Sequence, residues 1–442
     1  MADIAPLTPL RYDLSRLQHG LASVVAPPYD VISPDQRAEL AAKDPHNVVR
    51  LILPEGEGDK KYAHAATLLS EWRAGGVLTR DSEPGFYRYD QSFLPPAGEG
   101  KAITRRGFLA LVRLEPLSAG IVLPHERTLT GPKEDRLKLF RATKANLSPG
   151  FMLYRDARGE LDGPLGSAQP IAEFSTPDGV HHALAKVTAK DAIAAMVQGV
   201  ARSTLLIADG HHRYETALRY SGEAAQGATD AVARGEHLYF MTFLTNGDDP
   251  NLLVFPTHRF VHSLATFSFD AMLDGAQAWF VVRPLAKGLG AAAVLAALKE
   301  EAKNGPSIAA AAADGRVALL TLRSDVNLAA HPKLGQRPEV LRRTDIAILH
   351  SAVLEDLLGI TPEAQAAKTN LLYPQDATAS LADVRAGKGQ ALFLMNATPV
   401  ADVRRVAEAG EVMPQKSTFF YPKVLTGLAI HTLDPSRAVP VG

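Results

Sequence analysis

Residues 205–220, LLIADGHHRYETALRY, constrain this chain more than any other stretch. Leu205, Leu206 and Ile207 form a short apolar run of strand type. From Tyr214 to Tyr220 the apolar positions recur at helical spacing. Asp209, His211, His212 and Arg213 therefore fall where a strand hands over to a helix. Gly210 permits the tight turn and close backbone approach that this junction needs. Open N–H groups and the positive end of the helix dipole converge there, which suits an anion. Asp209 adds a hard oxygen ligand suited to Mg²⁺, and Arg213 adds a fork that fits phosphate or carboxylate. A lone Asp here reads as an N-cap; four polar residues around one turn between apolar flanks point to function. The histidines lack the i,i+4 spacing of H-E-x-x-H, which argues against zinc.

The rest of the chain narrows the class. Its 442 residues suit two or three domains, and 46% hydrophobic with 21% charged residues is ordinary for a globular protein. A net charge of −1 carries no basic footprint for nucleic acid. With no cysteine, disulfides, thiolate zinc sites and thiol catalysis are excluded. The start, MADIAPLTPLRYDL, lacks the basic and apolar runs of a signal peptide. No run approaches the ~18 apolar residues of a membrane span. A cytoplasmic protein with neither membrane nor nucleic-acid partner is expected; the oligomeric state is not fixed.

Periodicity predicts a mixed α+β fold. Ser33, Pro34 and Gln36 have the order of an N-cap, first-turn proline and capping box before a helix. Helices are expected over 60–75, 137–145, 191–199, 345–359, 377–386 and 400–409. Strands are expected over 46–53, 86–93, 106–114, 151–154, 183–187, 237–245, 252–260, 279–283, 316–322, 390–396 and 425–430. The 86–93 and 106–114 strands should pair, as should 237–245 and 252–260. The polar stretch 155–180 reads as hairpins or loops, and 289–314 as one helix broken around Asn304–Pro306. Three regions follow: an N-terminal αβ region, 1–104; a core carrying the DGHHR turn, 105–262; and a C-terminal αβ region, 263–442.

Further polar clusters accompany the turn. His125, Glu126, Arg127 and Thr128 precede Lys133, Asp135 and Arg136 on a loop entering a helix. A loop carboxylate beside a His can take a proton from a substrate hydroxyl, or it can pair with a neighbouring Arg as a surface ion pair. Lys416, Ser417, Thr418, Tyr421 and Lys423 lie on a loop before a strand, where lysines serve as point charges for phosphate. This is not a Walker A sequence, because the glycine spacing and the following helix are missing. A solvated loop with an aromatic anchor is the plain alternative. His258-Arg259 is a weaker, structural-looking fourth candidate.

APPYDVIS (26–33), PHERTLTGPKEDRLKLFRATKANLSPGFMLY (124–154), IADGHHRYETA (207–217), FPTHR (255–259) and MPQKSTFFYPK (413–423) resemble family 1015 of the domains of unknown function. That resemblance runs from about residue 20 to residue 433. The DGHHR turn with an upstream carboxylate loop is also similar to the ParB/sulfiredoxin-like superfamily, and within it to ParB-like kinases of free L-serine. This second resemblance implies that Asp209, Gly210, His211, His212 and Arg213 handle phosphate and Mg²⁺, with Asp209 as the metal ligand. It also implies Glu126 as the base toward the hydroxyl. Sulfiredoxin chemistry is excluded by the missing cysteine.

Together these readings give a phosphotransferase acting on a small hydroxylated metabolite, with free serine or phosphoserine first. Its donor would be ATP, ADP or pyrophosphate. Glu126, Asp209, His211 and His212 are the catalytic candidates. Gly210, Arg213, Lys416, Ser417, Thr418 and Lys423 would hold phosphate or nucleotide. His125, Arg127, Thr128, Arg136 and Tyr421 would hold the substrate. The alternatives are a non-catalytic nucleotide-binding regulator and a metal-dependent phosphohydrolase.

Overall fold

The computed structural model describes residues 1–94, 101–126, 130–227 and 229–441. The chain divides into two compact units. The first is Met1–Pro124, Thr128–Leu253 and Pro422–Gly442; the second is His125–Arg127 and Val254–Tyr421. Both mix helix and sheet, so the fold class is α+β. Among the described residues no helix is long and apolar enough to cross a membrane.

The first unit is built on a nine-stranded sheet. Its strands are β1 (Ile4–Ala5), β2 (Phe86–Phe93), β3 (Ile103–Arg113), β4 (Val122–Leu123), β5 (Gly150–Tyr154), β6 (Gln169–Ser175), β7 (His181–Val187), β8 (Leu205–Asp209) and β9 (Tyr239–Asn246). Their order is β4–β8–β5–β9–β3–β2–β7–β6, with β1 on β3. Only the β4–β8 and β5–β9 pairs are parallel. Its main helices are α1 (Pro34–Lys43), α2 (Lys60–Ala74), α3 (Thr130–Thr143), α4 (Lys190–Ala201) and α5 (His211–Gly227). The expected capping box opens α1: Gln36 N–H donates to Ser33 Oγ at 3.2 Å and Ser33 N–H to Gln36 Oε1 at 3.0 Å.

One sheet face is the main core of this unit. Phe108, Met152, Leu205, Ile207 and Leu244 meet Met196 of α4 and Tyr214 and Ala217 of α5 there. On β5, Met152 belongs to this core, while the Phe151 ring packs tilted against Phe243, centres 5.4 Å apart, outside it. This is the period-2 alternation of a sheet with two different faces.

The second unit has a six-stranded antiparallel sheet. Its strands are β11 (Arg259–Val261), β12 (Phe280–Pro284), β13 (Ser307–Ala312), β14 (Val317–Leu322), β15 (Leu371–Leu372) and β16 (Ala391–Met395). They run in the order β12–β14–β13–β16–β11–β15. The helices α6 (Ala291–Glu301) and α7 (Ala377–Arg385) close its core through Val294, Leu298, Leu381 and Val384. A separate ladder pairs β10 (Leu253–Phe255) with β17 (Phe419–Tyr421).

Five local expectations are corrected. Residues 46–53 form no strand, and Val49–Ile52 is a short helix. Asn47 Oδ1 accepts from Val49 N–H at 2.9 Å while its Nδ2 donates to Ser23 O and Val25 O, a local tie that overrides β-branched preference. Residues 252–260 split at Pro256, which offers no ladder N–H. Their pairing with 237–245 fails as well, since β9 is flanked by β3 and β5. The second half of the expected 289–314 helix is β13, whose six residues are all buried between β14 and β16. Burial in a tight central strand outweighs alanine's helix preference. Residues 425–430 make only isolated bridges, because Gly427 at φ +101° turns the chain. The hairpin expected within 155–180 is found: residues 169–175 form β6, which pairs antiparallel with β7 on the edge of the first sheet.

Candidate anion-binding site

Strand β8 reaches its end through a bulge. Leu206 pairs with Leu153 and Ile207 with Met152, but Asp209 rather than Ala208 comes opposite Phe151. One extra residue re-aims the side chain that follows it. Asp209 is thereby paired with Phe151, whose ring lies outside the main core, instead of continuing the Leu205–Ile207 row.

Gly210 then turns the chain at φ +95°, a region costly for any residue with a Cβ. A Cβ there would stand 3.0–3.1 Å from the Arg213 guanidinium. Helix α5 starts at once, with Tyr214 N–H donating to Gly210 O at 2.9 Å. Tyr214 fixes the helix from below: its hydroxyl accepts from Glu115 N–H and donates to Glu115 O.

The carboxylate of Asp209 is held by two cations. Lys423 Nζ lies 3.1 Å from Oδ2, and Arg213 Nη2 lies 3.5 Å from Oδ1. Burial pushes the Asp209 pKa up, but Lys423, Arg213 and His211 together hold it well below the usual carboxylate range. The group is ionised at any physiological pH. Arg213 is itself buried and donates through Nη1 to Pro149 O. His211 is buried and His212 half-buried on the first turn of α5.

Sequence reasoning missed Arg105. It is fully buried on β3, with its guanidinium carbon 4.7 Å from the Phe151 ring centre and 5.3 Å from that of Phe243. Its Nη2 donates to Gln91 Oε1 and to Pro422 O, at 2.6 Å for the latter. Gln91 Nε2 donates to Lys423 O at 3.0 Å, so the Lys423 backbone is fixed from the same face. Arg105 Nε and Nη1 have no hydrogen-bond partner among the described residues. Each such buried N–H costs about 1–3 kcal/mol. Burial lowers the Arg105 pKa to about 10, opposed by Tyr89 and Asp209.

Arg136 of α3 lies over the Tyr29 ring, 4.2 Å from its centre, and donates to Ile52 O at 2.7 Å. Its own Asp135 partners it, and Asp135 is held at about 2; burial raises that group, but Arg136, Tyr62 and Lys61 outweigh it. Arg213 and Asp209 also act electrostatically on Tyr29. The first unit therefore gathers Asp209, Gly210, Arg213, Lys423 and Arg105, with Arg136 and Tyr29 beside them.

The remaining described candidates belong to the second unit. Glu126 Oε1 accepts from Ser417 N–H at 2.9 Å, and Glu126 bridges to Met413 in parallel register. His125 is fully buried; its Nε2 lies 2.8 Å from Thr418 Oγ1 and its carbonyl accepts from Met413 N–H. Lys416 adopts a left-handed conformation, φ +58°, and its carbonyl accepts from Arg259 Nη2 at 3.0 Å. Tyr421 stacks on Phe255 at 4.7 Å. Arg259 holds the loop from inside this unit. Arg127 and Thr128 lie outside the described residues.

Among the described residues no three His, Asp or Glu gather as a metal-holding set. At Asp209 there is one carboxylate, and each of its oxygens faces a cation. This donor set does not fit a resident Mg²⁺, which asks for several oxygens.

The sequence signature of a family described as a protein of unknown function, DUF1015, matches residues 4–347. No curated protein matches the chain. Among solved structures it is similar to a conserved hypothetical protein from Pyrococcus furiosus, with 14% identity, TM-score 0.35, and 71% of this chain and 92% of that one covered. It is also similar to a free serine kinase in complex with AMP, with 12% identity, TM-score 0.37, and 71% and 89% covered. A third is SbnI with C-terminal truncation from Staphylococcus aureus, with 10% identity, TM-score 0.35, and 72% and 85% covered. All three likenesses are weak.

Proposed function

The chain belongs to the DUF1015 family of proteins of unknown function, and we propose that it binds a phosphorylated donor at the Asp209–Arg213 turn and transfers its phosphoryl group. The acceptor is a small hydroxylated metabolite, with free L-serine first. The observation that carries this reading is the pair of unspent Arg105 N–H groups, buried on the unit that also holds Lys423, Arg213 and the first turn of α5. A fully buried guanidinium with neutral acceptors on one nitrogen and none on two others is matched by an anion. The identity of the acceptor follows the likeness of the DGHHR turn to ParB-like serine kinases, not any overall likeness of folds.

Phosphoryl transfer asks a protein mainly to position the group and to offset charge on its equatorial oxygens. Arg105 and Arg213 offer planar donors and Lys423 a point charge. Asp209 is held ionised, so it serves to orient Lys423 and Arg213 rather than to take a proton. In the transfer, the acceptor oxygen bonds to phosphorus, the bond to the departing phosphate oxygen breaks, and the hydroxyl proton leaves to a base. Glu126 is the proposed base, a role that its own substitution tests.

The experiment incubates the full chain with L-serine and ATP, ADP or pyrophosphate, with and without Mg²⁺, and follows phosphoserine by mass spectrometry. Phosphoserine formation supports the transferase. Nucleotide binding without turnover of any hydroxyl acceptor makes the protein a nucleotide-binding regulator. Phosphate release without acceptor makes it a hydrolase. Absence of binding by all three donors overturns the site.

A further inference from the structure

The second unit carries an open pocket of about 350 Å³ that the phosphotransfer reading does not use. It is within the range of small-molecule pockets. One side is a π-helix, Leu349–Leu357, which brings His350, Ser351 and Glu355 to the lining. Such i→i+5 segments are rare and recur at functional sites.

The polar groups of this wall are unevenly spent. His350 is committed on both sides: Nε2 receives Arg259 Nε at 3.1 Å, and Nδ1 lies 2.6 Å from Gln365 Oε1. An acceptor role for Nε2 leaves the proton on Nδ1, so the ring is neutral. Burial and Arg259 hold it so, well below the usual imidazole range. Arg337 donates through Nε to Ser351 Oγ at 2.9 Å and through Nη2 to Glu355 Oε1. Arg337 Nη1 and Glu355 Oε2 make no hydrogen bond to a described residue, and both residues line the pocket. Leu341, Ala347 and Met413 supply apolar wall beside them. A guanidinium nitrogen and a carboxylate oxygen of this ion pair, left over by its own bond, match a carboxylate and an ammonium on one small molecule.

We propose that this pocket binds a free α-amino acid with a sizeable apolar side chain, its carboxylate on Arg337, its ammonium on Glu355 and its side chain toward Leu341 and Met413. Serine alone would leave most of the volume empty. The inference stands on the second unit only and does not depend on the phosphotransfer reading. The wall segment Glu411–Gln415 continues into the residues that hold Glu126, through Met413 N–H to His125 O and Ser417 N–H to Glu126. An occupant therefore bears on the segment that positions Glu126.

Isothermal titration of the full chain with leucine, phenylalanine, glycine, serine and 4-methylpentanoate tests it, with no nucleotide present. Leucine or phenylalanine should bind, and glycine and serine at least about tenfold more weakly. Arg337→Gln and Glu355→Gln should each weaken binding by about tenfold or more, one charge-assisted bond being about 1.5–3 kcal/mol. If either variant fails to fold, Ala366→Phe decides: it sits on an exposed part of the wall and should block binding while leaving the ion pair intact. Binding of none of the amino acids overturns the site. Equal binding of 4-methylpentanoate and leucine overturns the ammonium contact. Equal binding of serine and leucine overturns the apolar requirement.

Discussion

Replacing Arg105 by Met separates a binding guanidinium from a structural one. The change removes two charged-donor hydrogen bonds, to Gln91 and Pro422 O, worth about 1.5–3 kcal/mol each. It also removes contacts over Phe151 and Phe243 worth about 0.5–2 kcal/mol. In return it relieves two buried N–H groups without partners, at about 1–3 kcal/mol each. The desolvation of a fully buried charge, several kcal/mol more, is relieved too. The terms nearly cancel, so stability should change by no more than about 2 kcal/mol, or about 8 °C in Tm for a unit of this size. Affinity for ADP or pyrophosphate should instead fall about tenfold to hundredfold, the loss of one charge-assisted contact. Thermal melts and isothermal titration of the same samples read both quantities. A variant that melts more than about 10 °C lower while keeping its ligand affinity would show that Arg105 is a structural strut, and the argument from unspent N–H groups would fail.

Three more outcomes follow from the same geometry. Asp209 has a folded pKa below its unfolded one, so its contribution is present above about pH 4 and fades as pH falls through the lower folded value; urea titrations should show Asp209→Asn less sensitive than the parent below pH 4, and identical slopes would contradict the cation clamp. Gly210→Ala should cost about 1–3 kcal/mol, since the new Cβ meets a positive φ and an Arg213 guanidinium pinned to Pro149 O; an unchanged Tm refutes that reading. Glu126→Gln keeps an oxygen for Ser417 N–H, so the fold should hold, while phosphoryl transfer falls about a hundredfold or more with nucleotide affinity unchanged; full activity in that variant removes the base.

The DGHHR turn was legible because its cues agree locally. An apolar strand, a single Gly and a helical repeat leave few ways to connect; α5 follows the turn as expected, although it starts at His211, three residues before the expected repeat at Tyr214. The capping box at Ser33 was legible for the same reason. Arg105 was not. It follows a polar loop, next to Arg106, and only the register shows that the two face oppositely, Arg106 toward Asp90 and Arg105 onto two phenylalanine rings. The bulge before Asp209 leaves no trace in a five-residue run. Strand β13, SIAAAA, failed as a prediction because alanine carries a helix preference that only its buried place between two strands overrides. Lys423 was flagged as a phosphate lysine, yet its carboxylate partner lies 214 residues away, beyond any local rule.

The first unit departs from local rules at the end of β8, as it also does at the irregular register of β6 and β7 near Leu184 and Ala185. Its sheet alternates where α4 and α5 cover it, and α1 opens on a full capping box. At the end of β8, three departures coincide: a register shift, a glycine at φ +95°, and a carboxylate between two cations. Arg105, with two buried N–H groups unmet, is coupled to that carboxylate and fixes the Lys423 backbone through Gln91. Each departure costs free energy, and a buried ion pair of this kind adds little net stability. A fold stabilised elsewhere has no mechanical need for these three at one strand end with Arg105 of β3 tied to them. Their coincidence supports the proposed anion site, since donors fixed in advance are what a preorganised binding site requires.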